Sequence, residues 1–412
     1  MTSKSEQLTS DQASRETPTL DKHSHLPFWE PGCGHYGNTL GKRTNLLIES
    51  SKPFILSFID AVPVKKGRVF TVGDYGTNDG ASSMSLITSV IGHLREKQGD
   101  TLPIQIIYED QEKNDFNSLF RRLSDESSYM SKFCNVFPMA TNIDFYQQCV
   151  PDGTYDVILC MIATHWLESV DTKFTDCVTH CFATQDEQRR FNAEADRDWT
   201  KFLRLRAKEL KPGGLLIVLN TSRDSENNET SPRDFTQGAK NGTSPAVKDG
   251  VAGLGRNTLA LLQELHHAWV ALRKDNVITQ TEYEDCIIKA AYRTSEEITS
   301  PFTKSSSMQE AGLGLLHHDQ VALPCFFKTQ WQETLRKEGV DDRDTYAKSL
   351  VSANRVWSQS SFENSLSDMR SAEDKAAILD KLYRSLEKRV ASRDPRLFNS
   401  HYLVSRLVAQ KK

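Results

Sequence analysis

The sequence has no excess of either charge: 51 Lys and Arg stand against 55 Asp and Glu, a formal net charge of −4. A dedicated nucleic-acid binder would carry a basic stripe, so no nucleic-acid partner is expected. There is no long apolar run. The longest, Val157 to Ala163, is far short of the ~20 residues a membrane-crossing helix needs, so no membrane partner is expected either. The first residues, MTSKSEQLTSDQASRETPT, lack the apolar stretch of an export signal. The eight cysteines contain no CxxC pair, and without export the expectation is free thiols in the reducing cytoplasm. The glycine-bearing loop Asp74–Gly80 does not read GxGxxG and no Gly-Lys-Ser/Thr follows it, so that loop is neither the dinucleotide fingerprint nor a P-loop. What remains is a globular chain of 412 residues, long enough for two or three structural units.

Residues 1–27 are polar and predicted to form a disordered tail, with order beginning near Phe28 and Trp29. Apolar spacing predicts a helix over Asn45–Val62 and a short strand over Arg68–Val72. A Gly/Asp/Asn turn follows from Gly73 to Gly80, and helical spacing from Ser82 to Leu94. Further strands are read at Ile104–Tyr108, Tyr155–Ala163 and Leu215–Leu219. A charged helix is read at Asp186–Leu210, and a turn at Lys211-Pro-Gly-Gly214. Apolar strands alternating with helices predict an α/β fold: a mostly parallel sheet with helices on both faces, over residues 28–220, binding ligands along the carboxyl rim of its strands. Residues 221–250 read as a flexible insert, and 251–412 as further helices with the remaining core elements. The basic stretch Arg396–Lys412 reads as a capping terminal helix.

The loop Asp74-Tyr-Gly-Thr-Asn-Asp-Gly80 ends one strand and opens a helix, with Gly76 and Gly80 permitting positive φ and close backbone approach. Asp74 at its start suits a cationic amino-acid ligand, and Asp110 at the end of the next strand suits ribose hydroxyls. Together they point to S-adenosylmethionine (SAM); an ordinary turn with solvated acids is the plainer alternative.

Four blocks then align. They are Asp74-x-Gly76-x3-Gly80; Tyr108-Glu-Asp110 with Asn114-Asp-Phe-Asn117; Thr164-His-Trp-Leu167; and Phe202 through Lys211-Pro-Gly-Gly214. In these the chain resembles the SABATH methyltransferases, which methylate carboxyl groups of salicylate, benzoate, jasmonate and farnesoate or nitrogens of caffeine precursors. The resemblance implies a Rossmann-like methyltransferase core with a helical substrate cap, and a homodimer. It places Tyr36, Asp74, Gly76, Gly80, Ser82, Asp110, Gln111, Asp144 and Phe145 around SAM, with Phe145 on the adenine. His165 and Trp166 match the substrate-contacting pair, and Leu262 and Tyr292 fall at cap positions of the pocket. There are departures. Gln111 replaces the usual Leu, Asp144 the usual Ser, and Lys42 or Arg43 stands where carboxyl methylators have a carboxylate-binding Gln.

The resemblance implies a methyl ester of a small, largely apolar acid as product. A carboxylate with a reference pKa near ~4 is already ionised at neutral pH, so no general base is required. The expected catalytic set therefore only positions: Trp166, His165, Lys42 and Arg43. The alternatives are N-methylation of a small heterocycle or amine, with His165 as base, and a non-catalytic binder of small acids. No metal is expected. Cys177, His180 and Cys181 carry ligand atoms, with both cysteines on one face if the segment is helical, but a four-ligand set is missing.

Overall fold

The structure is a computed structural model that describes residues 29–224, 259–396, 398 and 402–412. The predicted tail lies outside the described residues, as does the predicted insert except for 221–224. Seven strands form one sheet: β1 (Phe70–Tyr75), β2 (Ile104–Glu109), β3 (Val136–Thr141), β4 (Tyr155–Met161), β5 (Leu210–Ser222), β6 (Leu313–Leu323) and β7 (Tyr402–Lys411). Their order is β3-β2-β1-β4-β5-β7-β6. The first five are parallel, and β7 runs antiparallel to both its neighbours.

Each strand segregates its side chains with period two. Leu215, Ile217 and Leu219 of β5 pack on one face with α1 (His35–Ile59) and α2 (Met84–Gln98), among Ile48, Ile55, Ile87 and Ile91. Leu216 and Val218 pack on the other with Trp199, Phe202 and Leu203 of α4 (Gln185–Glu209). Because both faces are covered, β4 is buried along its whole length, which is why it reads as one continuous apolar run. The short helices are α3 (Phe116–Leu123), α6 (Gln280–Glu284), α7 (Ser295–Thr303) and α8 (Ser307–Glu310). A separate apolar cluster joins α5 (Ala260–Lys274), α9 (Phe326–Glu338), α10 (Arg343–Glu363) and α11 (Ala372–Ala391) into a cap, with Trp269, Leu350, Phe362 and Leu382 at its centre.

Several expectations are corrected. Helix α1 begins at His35 rather than Asn45, so Gly34-His-Tyr-Gly-Asn38 opens a helix, and the Gly37 N–H donates to Asp79 Oδ2 at 2.9 Å. The Lys211-Pro-Gly-Gly214 turn lies inside β5 as a bulge, since Tyr155 pairs with Leu210 but Val157 with Leu215. The C-terminal stretch is not a capping helix but β7, inserted between β5 and β6. Its Arg406 stands opposite Asp319 of β6 and donates from Nε to Oδ1 at 2.8 Å. A charge that suggests a solvated helix is thus neutralised across a strand pair. Edge strand β3 contains Pro138, which an edge tolerates and which hides the strand from the sequence pattern.

Candidate active site

The carboxyl ends of β1, β2, β4 and β5, the first turns of α1, and the inner faces of α5 and α10 enclose one large cavity. Gly76 leaves β1 at φ 71, and a Cβ there would stand 2.3 Å from Ala163 Cβ, so only glycine fits this close approach to the end of β4. Ile162, just past β4, also has positive φ, at 59°. That conformation is strained for a β-branched residue and is held by its N–H donating to Leu219 O at 2.8 Å.

The next residues are pinned as a short strand-like pair. The Ala291 N–H donates to His165 O at 2.7 Å and the Leu167 N–H to Lys289 O at 3.0 Å. Tyr146 Oη donates to Trp166 O at 2.6 Å, and the buried Arg293 donates to Thr164 O at 2.8 Å. The His165 and Trp166 rings therefore enter the cavity at 4.9 Å from each other, and the Tyr292 ring stacks near His165 at 6.4 Å.

Carboxyl groups also gather at the cavity. Asp110 accepts the N–H groups of Asn78 (2.6 Å) and Gln111 (2.8 Å), yet burial pushes its pKa up to about 7. Burial likewise lifts Asp74 to about 6 and holds Glu109 well above the usual carboxylate range. Asp144 accepts the Tyr146 N–H at 2.8 Å. Three of the four, Glu109, Asp110 and Asp144, line the cavity, and a cluster of this sign suits a ligand bearing positive charge.

Of the residues singled out in the sequence, Tyr36, Arg43, Gly76, Ser82, Asp110, Gln111, Asp144, Phe145, His165, Trp166, Leu262 and Tyr292 all line this cavity. Two do not. Asp74 is turned behind the wall, where its Oδ2 accepts the Ser83 hydroxyl at 2.6 Å. Gly80 sits against Leu119 and shapes the loop rather than the cavity surface. The side chain of Lys42 is outside the described residues, so between the two predicted cations only Arg43 is placed: it lines the cavity with its guanidinium 4.1 Å above the Tyr402 ring. The segment of Cys177 and Cys181 is not an α-helix, so the two cysteines do not share a helix face. His180 to Phe182 make a single tight turn, and His180 accepts the Tyr292 N–H at 3.1 Å and stacks on Phe191. Among the described residues no cluster able to hold a metal ion is found.

Residues that the sequence reading missed hold the wall from behind. Arg206 and Glu209 of α4 have fully buried side chains and form an ion pair at 2.7 Å, with Arg206 Nη2 donating to Glu209 Oε1 at 3.0 Å. Arg206 donates to Phe145 O (2.7 Å) and Gln147 O (2.8 Å), while Glu209 accepts from the Cys149 N–H (2.7 Å) and Tyr75 Oη (2.8 Å). The pair fixes the loop that presents Asp144 and Phe145. The one available signal was a charged pair three residues apart on a helix that must bury one face.

The family described as SAM dependent carboxyl methyltransferase matches residues 41–404. The chain belongs to this family. Its SAM-dependent carboxyl methyltransferase sequence is 24% identical to gibberellic acid methyltransferase 1 of Arabidopsis thaliana over 66% of this chain and 71% of that one. It is 31% identical to methyltransferase LUC1 of a Fusarium species over 44% of this chain and 48% of that one. In fold it resembles a structure of loganic acid methyltransferase with SAH, with a TM-score of 0.67 at 16% identity, over 94% of this chain and 99% of the other. The fold expected from the sequence, a Rossmann-like methyltransferase, is the fold found; the strands added by β6 and β7 make its sheet mixed.

The residues present fit SAM. Beside the acidic wall, the Ser82 hydroxyl is buried in the cavity lining without a hydrogen-bond partner, as is Glu109 Oε1. A polar ligand group would satisfy both, and the aromatic ring of Phe145 in the same lining offers a face for a base.

Proposed function

We propose that this methyltransferase transfers a methyl group to the carboxylate of a small, largely apolar acid. The observation that carries the reading is Arg43: among the described residues lining the cavity it is the one permanently cationic side chain, in a cavity whose acidic residues suit the cofactor. SAM, when bound, supplies an electrophilic methyl group on a cationic sulfur. Asp110 would hold the ribose, Phe145 the adenine, and Ser82, Gly76 and the loop after β1 the amino-acid end. Tyr36 and Gln111 close that side.

At the acid end, Arg43 would donate to the carboxylate, with the indole N–H of Trp166 and the ring of His165 completing the grip. The nucleophile arrives ionised, so His165 orients and does not abstract a proton. Leu262, Leu261 and Tyr292 exclude water and hold the apolar skeleton. Catalysis then comes from keeping the attacking oxygen in line with the transferring carbon, an effect worth up to ~7–11 kcal/mol in favourable cases. A cytoplasmic setting and a homodimer belong to this proposal as well; they rest on the sequence reading and the family resemblance.

The test is methyl transfer from labelled SAM to salicylic, benzoic, farnesoic, jasmonic and medium-chain fatty acids, with xanthines and amines alongside. The proposal expects base-labile, solvent-extractable label from an acid. Base-stable label from the nitrogen compounds alone would replace it with N-methylation, and cofactor binding with no turnover of any acid would favour a binder.

The carboxyl wall also sets a pH dependence. Asp110 at about 7 and Asp74 at about 6 are largely protonated at pH 5.5 in the free protein. Ribose hydroxyls on Asp110 and the cofactor's positive charge, which Asp74 feels from behind the wall, favour the ionised forms, so binding lowers the pKa of Asp110 most and releases protons. SAM affinity is therefore expected to rise between pH 5.5 and 8 and then level off. Calorimetry in two buffers of different ionisation enthalpy checks this: proton release near pH 6.5 is expected, and proton uptake contradicts it.

A further inference from the structure

The cap wall carries polar atoms that the transfer reaction leaves unused. Asn354 of α10 is fully buried, lines the cavity, and its Nδ2 has no hydrogen-bond partner. The other end of the same amide faces the helix: Oδ1 lies 3.2 Å from Ser358 Oγ, whose hydroxyl also sits 2.8 Å from the Asn354 carbonyl and 2.8 Å from Tyr383 Oη. The amide thus has its oxygen beside a hydroxyl and its nitrogen unsatisfied. One turn along α10, Trp357 also lines the cavity, and its Nε1 has no partner either. Residues three apart share a helix face, so the two side chains are neighbours. A buried donor without a partner is penalised and uncommon in folded proteins. Two on one helix turn, both in the wall of a ligand cavity, point to a ligand atom that accepts from both.

The reacting carboxylate does not account for them, because Arg43, His165 and Trp166 already converge on it in the proposed function, on which this inference rests. The Trp357 ring centroid lies 6.2 Å from that of Trp166, close enough for one small acid to span both regions. An indole N–H donates only, and the free end of the Asn354 amide donates, so the matching group is an acceptor oxygen. We propose that Asn354 Nδ2 and Trp357 Nε1 form a second polar subsite for an oxygen of the substrate other than its reacting carboxylate. The preferred acids then carry a hydroxyl or carbonyl group on an otherwise apolar skeleton, and a bare hydrocarbon acid leaves both donors unpaired.

The experiment compares kcat/KM for matched acids: decanoic acid against 10-hydroxydecanoic and 9-oxodecanoic acids, and benzoic acid against its hydroxy and acetyl derivatives. Wild-type protein, Asn354→Leu and Trp357→Phe are compared, with the affinity for S-adenosylhomocysteine showing that each variant is folded. Wild type is expected to favour an oxygenated acid over its bare partner by at least about tenfold. Asn354→Leu is expected to bring that ratio toward one, mainly through KM. The hydroxy and oxo arms identify which oxygen the subsite takes. Equal turnover of bare and oxygenated acids by wild type overturns the proposal, and this result needs no variant. So does a Trp357→Phe variant that lowers kcat for bare and oxygenated acids alike, since the indole then serves the reacting carboxylate. Acids methylated without preference remove only the subsite, whereas no acid methylated at all removes the carboxylate reading with it.

Discussion

Replacing Arg43 by Ala is expected to raise KM for the acid substrate by about 10- to 150-fold, with little change in SAM affinity. A hydrogen bond to a charged group contributes about 1.5–3 kcal/mol, and 1.4 kcal/mol is a factor of ten. Arg43 is held over the Tyr402 ring at 4.1 Å, so its guanidinium plane is oriented before the acid arrives. Arg43→Lys keeps the charge but loses the planar fork and the stacking, and should fall between wild type and Ala. Steady-state kinetics with the best acid of the panel, alongside SAM binding by calorimetry, checks the split. An unchanged KM in Arg43→Ala would show that the carboxylate is held elsewhere.

The second large effect is expected at the Arg206–Glu209 pair. Both side chains are fully buried, so Arg206→Met leaves an uncompensated carboxylate among Tyr75, Cys149 and the β1 end. Breaking such a pair from one side costs about 3–5 kcal/mol. The same substitution releases the carbonyls of Phe145 and Gln147, so SAM affinity should fall together with stability. The double variant Arg206→Met, Glu209→Leu removes the stranded charge and should recover part of the stability but not the SAM affinity. Chemical denaturation and cofactor binding read the two quantities separately. A single variant within about 1 kcal/mol of wild type would mean that the pair does not carry the loop.

What could be read from the sequence follows from how local each signal is. The strand at 155–161, the Gly/Asp/Asn loop after β1 and the charged helix of 185–209 are set by periodicity and turn chemistry within a few residues, and each is legible in the sequence near its observed place. The Rossmann-like sheet followed from their alternation. Strand β7 was not legible, because nothing within Tyr402–Lys411 announces that β5 and β6 will close around it; its central place is decided by pairings across most of the chain. Helix α1 starts earlier than its apolar spacing suggests because the Gly37 N–H is tied to Asp79, a contact made only after folding.

The same division holds in the cavity. Gly76, Asp110, His165 and Trp166 sit at strand ends, where position along the chain indicates position in space. Asp74 shares that location, but Ser83 draws its carboxylate behind the wall, which strand register alone does not reveal. Asn354 and Trp357 read as ordinary residues of an amphipathic helix. Only the packing of α10 over the strand ends places their donors against a ligand.

The account's central claim is that one cavity holds SAM on its acidic wall and a carboxylate at Arg43, His165 and Trp166. A crystal structure with S-adenosylhomocysteine and the acid turned over best tests it most directly. The account predicts the adenine on Phe145, the ribose hydroxyls on Asp110, and the acid carboxylate within hydrogen-bond distance of the Arg43 guanidinium and the Trp166 indole. A carboxylate bound away from both, or a cofactor seated without Asp110, would contradict it.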